Sequence, residues 1–516
     1  MARWMGRLEA ALAELAGKRL LPFFILLTGL LPSAWLFYEL RDTPQLGSSG
    51  DDVMYIGAAR SLADHGTYRE SAFPGDPWQT KYPPGYPLML AAILKWNPVN
   101  LHFWIIAHSW VWMAVASFAL AWAMRQTGLT RVQAAFVGAL WAANPGGANA
   151  AIFAMADTPY CAVLFLVLGL VLRLDKEAVW NTAMVGLVMG TACLIRSTGI
   201  VAIAGLVVWL LWRKSFRTAM WFGVSASIFP AIWMLWSHTH MPPDHGPVAE
   251  YYFSYGGRWI QTVRQSGVGS ILRTNVVRGV SSLGILLVPF ESRGLLEILW
   301  YTILLALGCT ALVEWGGGAI TAVALATAGL QLFWNWPPNV RFFLPVAPAF
   351  LGAGVAMLSS RPAILRVFVI VAVAVADIYV VADGQSRYAS LRDVSRSSAY
   401  DFIERELPTD AVILGDERVW LFTGRRALVM PAPMEYMYLK RLDSEIEFFM
   451  TYKDVARQFG AGYILLEPWD GHNWNVPIDQ AKQFADAMRS DPDLERIFSQ
   501  NGVELFRIRT NSPGSP

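Results

Sequence analysis

Residues 20 to 38 read LLPFFILLTGLLPSAWLFY, an apolar segment without a charged side chain. A helix of about 20 apolar residues is what a hydrocarbon core about 30 Å thick requires, because unpaired backbone groups are too costly in lipid. No small-residue cleavage site follows the segment, and four cations precede it, namely Arg3, Arg7, Lys18 and Arg19. We therefore predict an uncleaved membrane anchor with a cytoplasmic N-terminus.

The composition of the whole chain is typical of a membrane protein. Of its 516 residues, 55% are hydrophobic and 16% are charged, and the mean hydropathy is +0.38, whereas soluble domains have roughly 25% charged residues. The charge is uneven, since 36 of the 133 residues from 384 to 516 are charged, against 44 of the 383 residues before them. We predict a transmembrane body, 1–383, and a soluble domain, 384–516.

Further apolar segments predict an α-helical polytopic membrane protein with about eleven transmembrane helices. With the N-terminus in the cytoplasm, the short loops rich in Arg and Lys fall inside, as the positive-inside rule expects. Segment 270–290 carries Arg273 and Arg278, so we assign it to the outer interface or to a re-entrant segment. A crossing there would move the soluble domain into the cytoplasm. The further predicted spans are 100–124, 131–144, 151–172, 179–195, 199–212, 218–237, 295–313, 317–335, 342–360 and 363–382.

This topology places loops 39–95 and 238–293, two short turns and the C-terminal domain outside a bacterial-type inner membrane. Function is expected on that side. The net charge of +2 has no long basic block behind it, so nothing favours nucleic-acid binding. The cysteines lie in apolar runs and indicate neither a disulfide framework nor a metal site; they are Cys161, Cys193 and Cys309.

The C-terminal domain alternates helical patterns with short apolar strands, which predicts a small α/β fold. It contains no GxGxxG, no P-loop and no HExxH, so we assign it no chemistry. The predicted strands are 411–415 (AVILG), 426–430 (RALVM), 463–467 (YILLE) and 503–508 (VELFRI).

Two adjacent carboxylates, Asp51 and Asp52, follow the first span and begin the amphipathic stretch 53–63. Carboxylates at a helix start accept hydrogen bonds from free amide groups and oppose the positive end of the dipole, so capping alone would explain them. In the functional interpretation, one carboxylate is a general base toward a hydroxyl, and the other orients a substrate or a cation.

The sequence KYPPGYP, 81–87, predicts a rigid turn that returns the chain to the membrane surface before the apolar segment 88–94. Lys81 would then lie at the level of the lipid headgroups, where a cation suits a lipid phosphate. The alternative is a lysine that snorkels to the interface and binds nothing.

Three more ionisable residues fall at outer ends of predicted spans: Asp157, Arg196 and Arg341. An ionisable group near hydrocarbon is costly, which makes it a candidate for function. Helix capping for Asp157, followed by Pro159, and interface anchoring for the two arginines are the structural alternatives. The topology places all three on the same face as Asp51 and Lys81.

Three histidines lie in one outward stretch, SHTHMPPDH: His238, His240 and His245. With a neighbouring Asp they would suit zinc or another divalent metal. A merely polar loop is the simpler explanation.

In this order the motifs resemble those of the GT-C superfamily of polyprenyl-phosphate-sugar-dependent glycosyltransferases. The likeness is to the glycosyltransferase family 39-like branch, which holds protein O-mannosyltransferases and the aminoarabinose lipid A transferase. The family's acidic pair in the first outer loop is Asp-Glu in many members and Asp51-Asp52 here, which weakens any role carried over to Asp52. The matching segments are Asp51-Asp52 with Tyr55, Lys81-Tyr82-Pro83-Pro84, Asp157-Thr158-Pro159, Arg196 to Gly199, and Arg341 to Pro345.

The resemblance implies a hexosyl- or pentosyltransferase of the cell envelope that moves a sugar from a polyprenyl-phosphate donor to an acceptor hydroxyl, with inversion. The acceptor hydroxyl would belong to a lipid, a glycan or a protein. Asp51 would be the catalytic base, and no cofactor is required, although a divalent metal would be compatible. Substrate-binding roles are implied for Asp52, Tyr55, Lys81, Tyr82, Asp157, Arg196 and Arg341.

Two other functions fit a polytopic membrane protein. A transporter or flippase for a lipid-linked or polar solute would call for paired repeats and broken helices at mid-membrane, and the sequence has no visible repeat. An envelope polymer assembly protein or scaffold would use the outer domain to bind a partner, and Asp51 would then be dispensable.

Overall fold

The computed structural model describes the membrane body and the core of the C-terminal domain. Its described residues are 20–41, 46–47, 51–96, 99–174, 178–242, 252–287, 295–334, 338–359, 361–362, 371, 375, 398–428, 452–467, 485–486 and 488–509.

The described part of the body is helical. Its helices are α1 (Leu21–Gly29), α2 (Leu31–Leu40), α3 (Asp51–His65), α4 (Gly85–Trp96), α5 (Leu101–Arg125), α6 (Arg131–Ala143), α7 (Pro145–Ala150), α8 (Asp157–Val171), α9 (Val179–Ile195), α10 (Gly199–Trp212), α11 (Phe216–His240), α12 (Tyr255–Leu287), α13 (Leu295–Trp315), α14 (Ala319–Phe333) and α15 (Ala347–Ser359).

The lengths and compositions of these helices are those of an integral membrane protein. Among the described residues, three helices are long and apolar enough to cross a bilayer, namely Leu21–Leu40, α5 and α11. Shorter apolar helices are α8, α9, α10, α14, α15 and the segment 301–315. The count of eleven spans stays a prediction, and the last predicted span, 363–382, lies outside the described residues except for Val371 and Val375.

Two helices begin later than predicted, and predicted site residues lie at or before their starts. The span expected from 151 begins at Asp157, after the short helix α7, and the span expected from 342 begins at Ala347. Residues Val340–Phe343 form a 3-10 turn instead. Pro345 contributes to this late start, because proline supplies no N–H to an α-helical hydrogen bond and restricts the residue before it. The outer ends of both spans are therefore loops that line a site.

Pairs of helices pack tightly in the body: α5 against α8, α9 against α11, α10 against α14, and α1 against α6. Small residues permit the close approach, as expected for helices that pack in lipid. At Gly186 of α9, a Cβ atom would lie 2.0 Å from the hydroxyl oxygen of Ser225 on α11. Any larger residue at this position would push the two helices apart.

The segment that was ambiguous in the sequence, 270–290, belongs mostly to α12. This helix is kinked at Gly267, whose φ of +71° lies in the left-handed region that favours glycine. Among the described helices, α12 is not one of those apolar enough to qualify as a span. The outer interfacial or re-entrant position of this segment stays a prediction.

The C-terminal domain contains α16 (Ser398–Glu406), α17 (Arg418–Thr423) and α18 (Tyr452–Phe459) beside a five-stranded sheet. The sheet order is β2-β1-β3-β5-β4, with β1 parallel to β2 and β3, and β5 antiparallel to β3 and β4. Four of these strands were predicted. The strands are β1 (Val412–Leu414), β2 (Arg426–Leu428), β3 (Tyr463–Leu466), β4 (Leu494–Gln500) and β5 (Val503–Ile508).

The sequence analysis missed β4, which reads LERIFSQ and lacks an apolar run. It forms a hairpin with β5 through Asn501-Gly502, both at positive φ. An Asn-Gly pair between two candidate strands is a strong hairpin signal, and it would have identified β4.

The C-terminal domain packs on the first outer loop. Arg426 of β2 lies 2.6 Å from the carboxylate of Asp76, and the amide of Ala427 donates to the carbonyl of Ala72 at 3.2 Å. The two segments therefore lie on the same side of the membrane. This requires an even number of crossings between them, which agrees with the predicted topology.

Candidate functional site

A cavity of about 500 Å³ lies beside the turn at Val340–Phe343. Its other walls come from α3, from the turn before α4, and from the outer ends of α8, α9 and α14. Most of the residues that the sequence singled out for chemistry line it. These residues are Asp51, Tyr55, Lys81, Tyr82, Asp157, Arg196 and Arg341. They come from segments far apart in the chain, so the fold alone brings them together.

Asp51 is the first residue of α3, and both of its carboxylate oxygens have partners. Its Oδ2 accepts from Nη2 of Arg341 at 2.7 Å, and its Oδ1 accepts from the Tyr82 hydroxyl at 2.6 Å. The side chains of Asp51 and Arg341 are 30% and 24% exposed. The carboxylate is thus held in one orientation and remains open to the cavity.

The surroundings of Asp51 keep its carboxyl group ionised. Burial acts to raise the pKa of Asp51, but the cations Arg341 and Lys81 and the hydrogen bond from Tyr82 lower it further than burial raises it. The pKa of Asp51 is therefore below its ordinary value of 3.8. The group is a carboxylate at neutral pH and can accept a proton.

Asp52 does not line the cavity, unlike its neighbour. Its side chain is fully buried and accepts hydrogen bonds from the amides of Gly47 at 2.7 Å and Val53 at 3.0 Å. Hydrogen bonds from backbone amides are what the capping alternative predicts, and this position does not bring Asp52 to a substrate in this cavity. Successive residues of a helix point about 100° apart, so only one carboxylate of the pair faces the cavity.

Lys81 is presented by a turn that hydrogen bonds hold in place. The Oε1 of Gln79 accepts from the amides of Lys81 at 3.0 Å and Tyr82 at 3.3 Å, and Thr80 donates to the carbonyl of Phe253 at 2.9 Å. The ammonium nitrogen of Lys81 lies 5.1 Å from the ring centre of Tyr82 and 5.4 Å from that of Tyr255. Contact with aromatic rings keeps this cation at the cavity wall.

Asp157 and Arg196 form a second ion pair, with Nη1 of Arg196 2.7 Å from Oδ2 of Asp157. Their side chains are 13% exposed for Arg196 and 3% exposed for Asp157. Asp157 stands in the first turn of α8, where a carboxylate also opposes the helix dipole. The pair thus closes one side of the cavity and leaves Arg196 partly accessible.

The charges that line the cavity do not cancel. Asp51 and Asp157 are opposed by Lys81, Arg196 and Arg341, so the cavity has one positive charge in excess. In a poorly hydrated cavity this excess favours a ligand with a single negative charge.

Tyr255, Gln331 and Trp334 are among the residues of the cavity that the sequence analysis missed. The ring of Tyr255 lies 6.0 Å from that of Tyr82 and 5.5 Å from that of Trp334. Tyr255 belongs to a segment predicted as an outer loop, and the other two lie at the outer end of a predicted span. The only signals were the aromatic run at 251–255 and a polar Gln at the end of an apolar helix.

The predicted histidine cluster is only partly covered by the structure. His238 and His240 lie in the last turn of α11, and His245 falls outside the described residues. His240 stacks on Trp236, with ring centres 4.5 Å apart, and lies 5.3 Å from the ring of Trp78. Within the described ranges, no group of three His, Cys, Asp or Glu side chains could hold a metal ion. The metal prediction stays untested.

Comparison of the structure with solved structures identifies its fold. ArnT from Cupriavidus metallidurans bound to undecaprenyl phosphate superimposes with a TM-score of 0.60 over 96% of this chain and 99% of that chain, at 13% identity. The oligosaccharyltransferase of Archaeoglobus fulgidus in the apo form gives 0.57 over 96% and 75%, at 11% identity. The archaeal oligosaccharyltransferase AglB from the same organism, in complex with an inhibitory peptide and a dolichol-phosphate, gives 0.52 over 95% and 74%, at 11% identity.

These neighbours are membrane glycosyltransferases of the GT-C type, so the predicted GT-C fold is confirmed. No family model matches the sequence, and a search of curated proteins finds no relative by sequence.

Proposed function

We propose that this chain, which has the GT-C fold, is a membrane glycosyltransferase that transfers a sugar from a polyprenyl-phosphate donor to an acceptor hydroxyl. The observation that carries the proposal is the meeting of Asp51 with Lys81 and Arg341 at one cavity. A base next to cations is what the transfer of a sugar from a phosphate requires. Two structural neighbours were solved with a polyprenyl or dolichyl phosphate, which supports the donor class.

The charge of the cavity supports a monophosphate donor. A sugar joined to one lipid phosphate is a phosphodiester with one negative charge, which matches the excess of one positive charge. Nε of Arg341 is buried and has no hydrogen-bond partner in the part of the chain that the structure describes. Arg341 can therefore donate to a phosphate oxygen while its Nη2 stays on Asp51.

In the proposed reaction, Asp51 takes the proton of the acceptor hydroxyl as its oxygen attacks the anomeric carbon. The bond from that carbon to the phosphate oxygen breaks on the opposite face, so the configuration inverts. The lipid phosphate leaves with a second negative charge, which Lys81 and Arg341 stabilise from fixed positions, with Arg196 nearby. The scheme requires no metal or cofactor.

The donor phosphate and Asp51 share Arg341 in this scheme. The negative charge of the bound phosphate offsets part of the effect of the cations on Asp51, so the pKa of Asp51 rises and Asp51 becomes a stronger base. The loaded site would thus favour proton transfer more than the empty site. We assign the reaction to the outer face of the membrane, beside the C-terminal domain, with the N-terminus in the cytoplasm.

The proposal is tested by incubating purified protein with a panel of polyprenyl-phosphate sugars and measuring the release of free polyprenyl phosphate. We expect release from at least one donor, and loss of that release in Asp51→Asn. A protein that binds these lipids without releasing polyprenyl phosphate, even with lipid, glycan and peptide acceptors added, would contradict the proposal and favour a transporter.

A further inference from the structure

One wall of the cavity has no part in the proposed proton and phosphate chemistry. Tyr255 and Trp334, called here the aromatic wall, meet at a ring distance of 5.5 Å and an angle of 50°. Gln331 lines the same cavity from the last turn of α14. These three side chains are uncharged, and the hydrogen bonds of Asp51 go to Arg341 and Tyr82 instead, although Tyr255 contacts Lys81. The phosphate subsite and this uncharged surface are therefore adjacent.

Gln331 is the least expected member of this surface. Gln331 is only 2% exposed, and its Oε1 is buried without a hydrogen-bond partner among the described residues. A buried carbonyl oxygen without a partner destabilises a fold, and such groups are rare in native proteins. Because Gln331 lines the cavity, a bound molecule with a hydroxyl group can provide the missing donor.

The end of α14 is held rigidly, so Gln331 and Trp334 are fixed in place. Nδ2 of Asn275 donates to the carbonyls of Leu332 at 3.2 Å and Trp334 at 2.8 Å. Nε1 of Trp259 donates to the carbonyl of Phe333 at 2.8 Å. These bonds from α12 satisfy carbonyl groups that a helix end leaves without partners. A preorganised group binds a ligand with less loss of entropy.

The chemistry of this surface distinguishes the two parts of the donor. The carbonyl oxygen of Gln331 accepts hydrogen bonds, so it repels phosphate oxygens and attracts a hydroxyl. Aromatic faces supply a flat apolar surface for the C–H groups of a sugar ring. The cations Lys81 and Arg341 are suited to the phosphate instead.

We infer that Gln331 and the aromatic wall bind the sugar of the donor, with Oε1 of Gln331 accepting a hydrogen bond from a ring hydroxyl. Gln331 is then a residue that determines which sugar is used. The inference rests on the proposed function, since it places the sugar beside the phosphate subsite defined there. A site built to accept from a hydroxyl discriminates strongly against an analogue that lacks it.

The test compares undecaprenyl phosphate with three lipids that carry a sugar on the same phosphate. Binding of undecaprenyl phosphate and of undecaprenyl-phosphate glucose, mannose and arabinose is measured for the full chain in detergent. In Gln331→Met, which keeps the length of the side chain without its oxygen, the Kd of the sugar lipid that binds wild type best should rise about tenfold. The Kd of undecaprenyl phosphate should stay within about twofold, since the phosphate subsite is intact.

The matched control is Thr327→Val, one turn earlier on α14. Thr327 is 4% exposed, and its hydroxyl also lacks a partner among the described residues, but it does not line the cavity. Both Kd values should be unchanged in this variant. Unfolding temperatures measured without ligand should not fall in Gln331→Met, since the substitution removes an unpaired buried oxygen. If Gln331 had only a structural role, the unfolding temperature of Gln331→Met would fall.

A donor series with single deoxy positions then identifies the hydroxyl. The deoxy donor that lacks it should bind wild type and Gln331→Met equally. The inference is overturned if Gln331→Met changes the Kd of the sugar lipid and the Kd of undecaprenyl phosphate equally, or changes neither. Sugar-dependent binding that needs Gln331, without release of polyprenyl phosphate, would support the inference and contradict the proposed reaction.

Discussion

Nη2 of Arg341 lies 2.7 Å from Oδ2 of Asp51, although 290 residues separate them in the chain. The contact joins the first outer loop to the turn before α15. It orients the carboxylate and lowers the pKa of Asp51, and Nε of Arg341 has no hydrogen-bond partner among the described residues. Much of the proposed chemistry depends on this one pair, which three predictions test through Asp51 or Arg341.

Asp51→Asn should lower sugar transfer by at least about a hundredfold, because an amide cannot take the proton of the acceptor hydroxyl. The release of polyprenyl phosphate by purified protein measures this. Asp64→Asn, an exposed position on the same helix, is the control and should leave transfer unchanged. Membrane insertion and the unfolding temperature should match wild type in both variants. Near-normal turnover in Asp51→Asn would exclude the proposed mechanism.

Arg341→Gln should move the acid limb of the pH profile for kcat/KM to higher pH. In wild type the pKa of Asp51 is below 3.8, so Asp51 is ionised over the whole range from mildly acidic to neutral pH. Removing Arg341 leaves burial, which raises the pKa, with less opposition. Protonation of Asp51 then begins at a higher pH, and activity falls there. An acid limb that is identical in the variant and wild type would contradict the role of Arg341.

The same substitution should weaken binding of undecaprenyl phosphate by about tenfold or more, because a charge-assisted hydrogen bond to phosphate is lost. Arg264→Gln offers a control, since Arg264 is an exposed arginine of α12 that does not line the cavity. Equal affinity of wild type and Arg341→Gln for undecaprenyl phosphate would place the phosphate elsewhere.

Glu70 predicts a pH dependence of stability that is separate from catalysis. Its side chain is fully buried, and burial raises its pKa to about 8 despite hydrogen bonds from Gln79 and the amide of Ala72. Since the folded pKa exceeds the unfolded value near 4.5, the folded state binds more protons between these two pH values. The contribution of Glu70 to stability therefore decreases as pH rises through that window.

Glu70→Gln should remove this decrease. The quantity to compare is the unfolding temperature of the variant minus that of wild type. We expect this difference to be a few degrees larger at pH 8.5 than at pH 5. Thermal unfolding in detergent at several pH values measures it. Glu417 also has a raised pKa of about 8, mainly from burial, so part of the wild-type dependence should persist. A difference between variant and wild type that does not change with pH would contradict the prediction.

Arg418 should matter more for the C-terminal domain than Arg426. Arg418 is 6% exposed and lies between Asp416 at 3.0 Å and Glu467 at 3.4 Å, so its removal leaves buried carboxylates without their cation. Arg418→Met should destabilise the domain by about 3 kcal/mol or more.

Arg426→Met is the matched comparison, because Arg426 pairs with Asp76 at the surface, with side chains 36% and 42% exposed. A pair of that kind contributes less than about 1 kcal/mol. Limited proteolysis and thermal unfolding would rank the two variants. Equal losses would mean that the domain is held chiefly by its contact with the outer loop.

Local sequence patterns were sufficient for much of the fold. Apolar runs identified the helices α5, α9 and α10 nearly to their ends, because charged or turn-forming residues border each run. Short apolar runs identified four strands of the C-terminal domain in the same way. The helices α8 and α15 began late, because apolar composition continues into the turns that line the cavity. The strand β4 was missed, because it is amphipathic and edges the sheet.

The sequence also identified the charged residues of the site, and it could not identify the uncharged ones. Charge near hydrocarbon is costly, so Asp157, Arg196 and Arg341 stood out individually. Tyr255 and Trp334 are ordinary residues for an interfacial segment, and only their position against the cavity distinguishes them. The pair Asp51-Asp52 shows the same limit. Residue type did not distinguish the two carboxylates, the family resemblance favoured Asp51, and only the structure placed Asp51 alone at the cavity.

The sequence by itself determined that this chain crosses a membrane and that one face collects a set of ionisable groups. The reason is that the cost of burying charge or unpaired backbone in lipid depends on local composition. Only the tertiary structure decided which of these groups meet. Arg341 reaches Asp51, and Arg196 reaches Asp157, because helices distant in sequence pack side by side. The interaction of two charges depends on their distance in space and not on their separation along the chain.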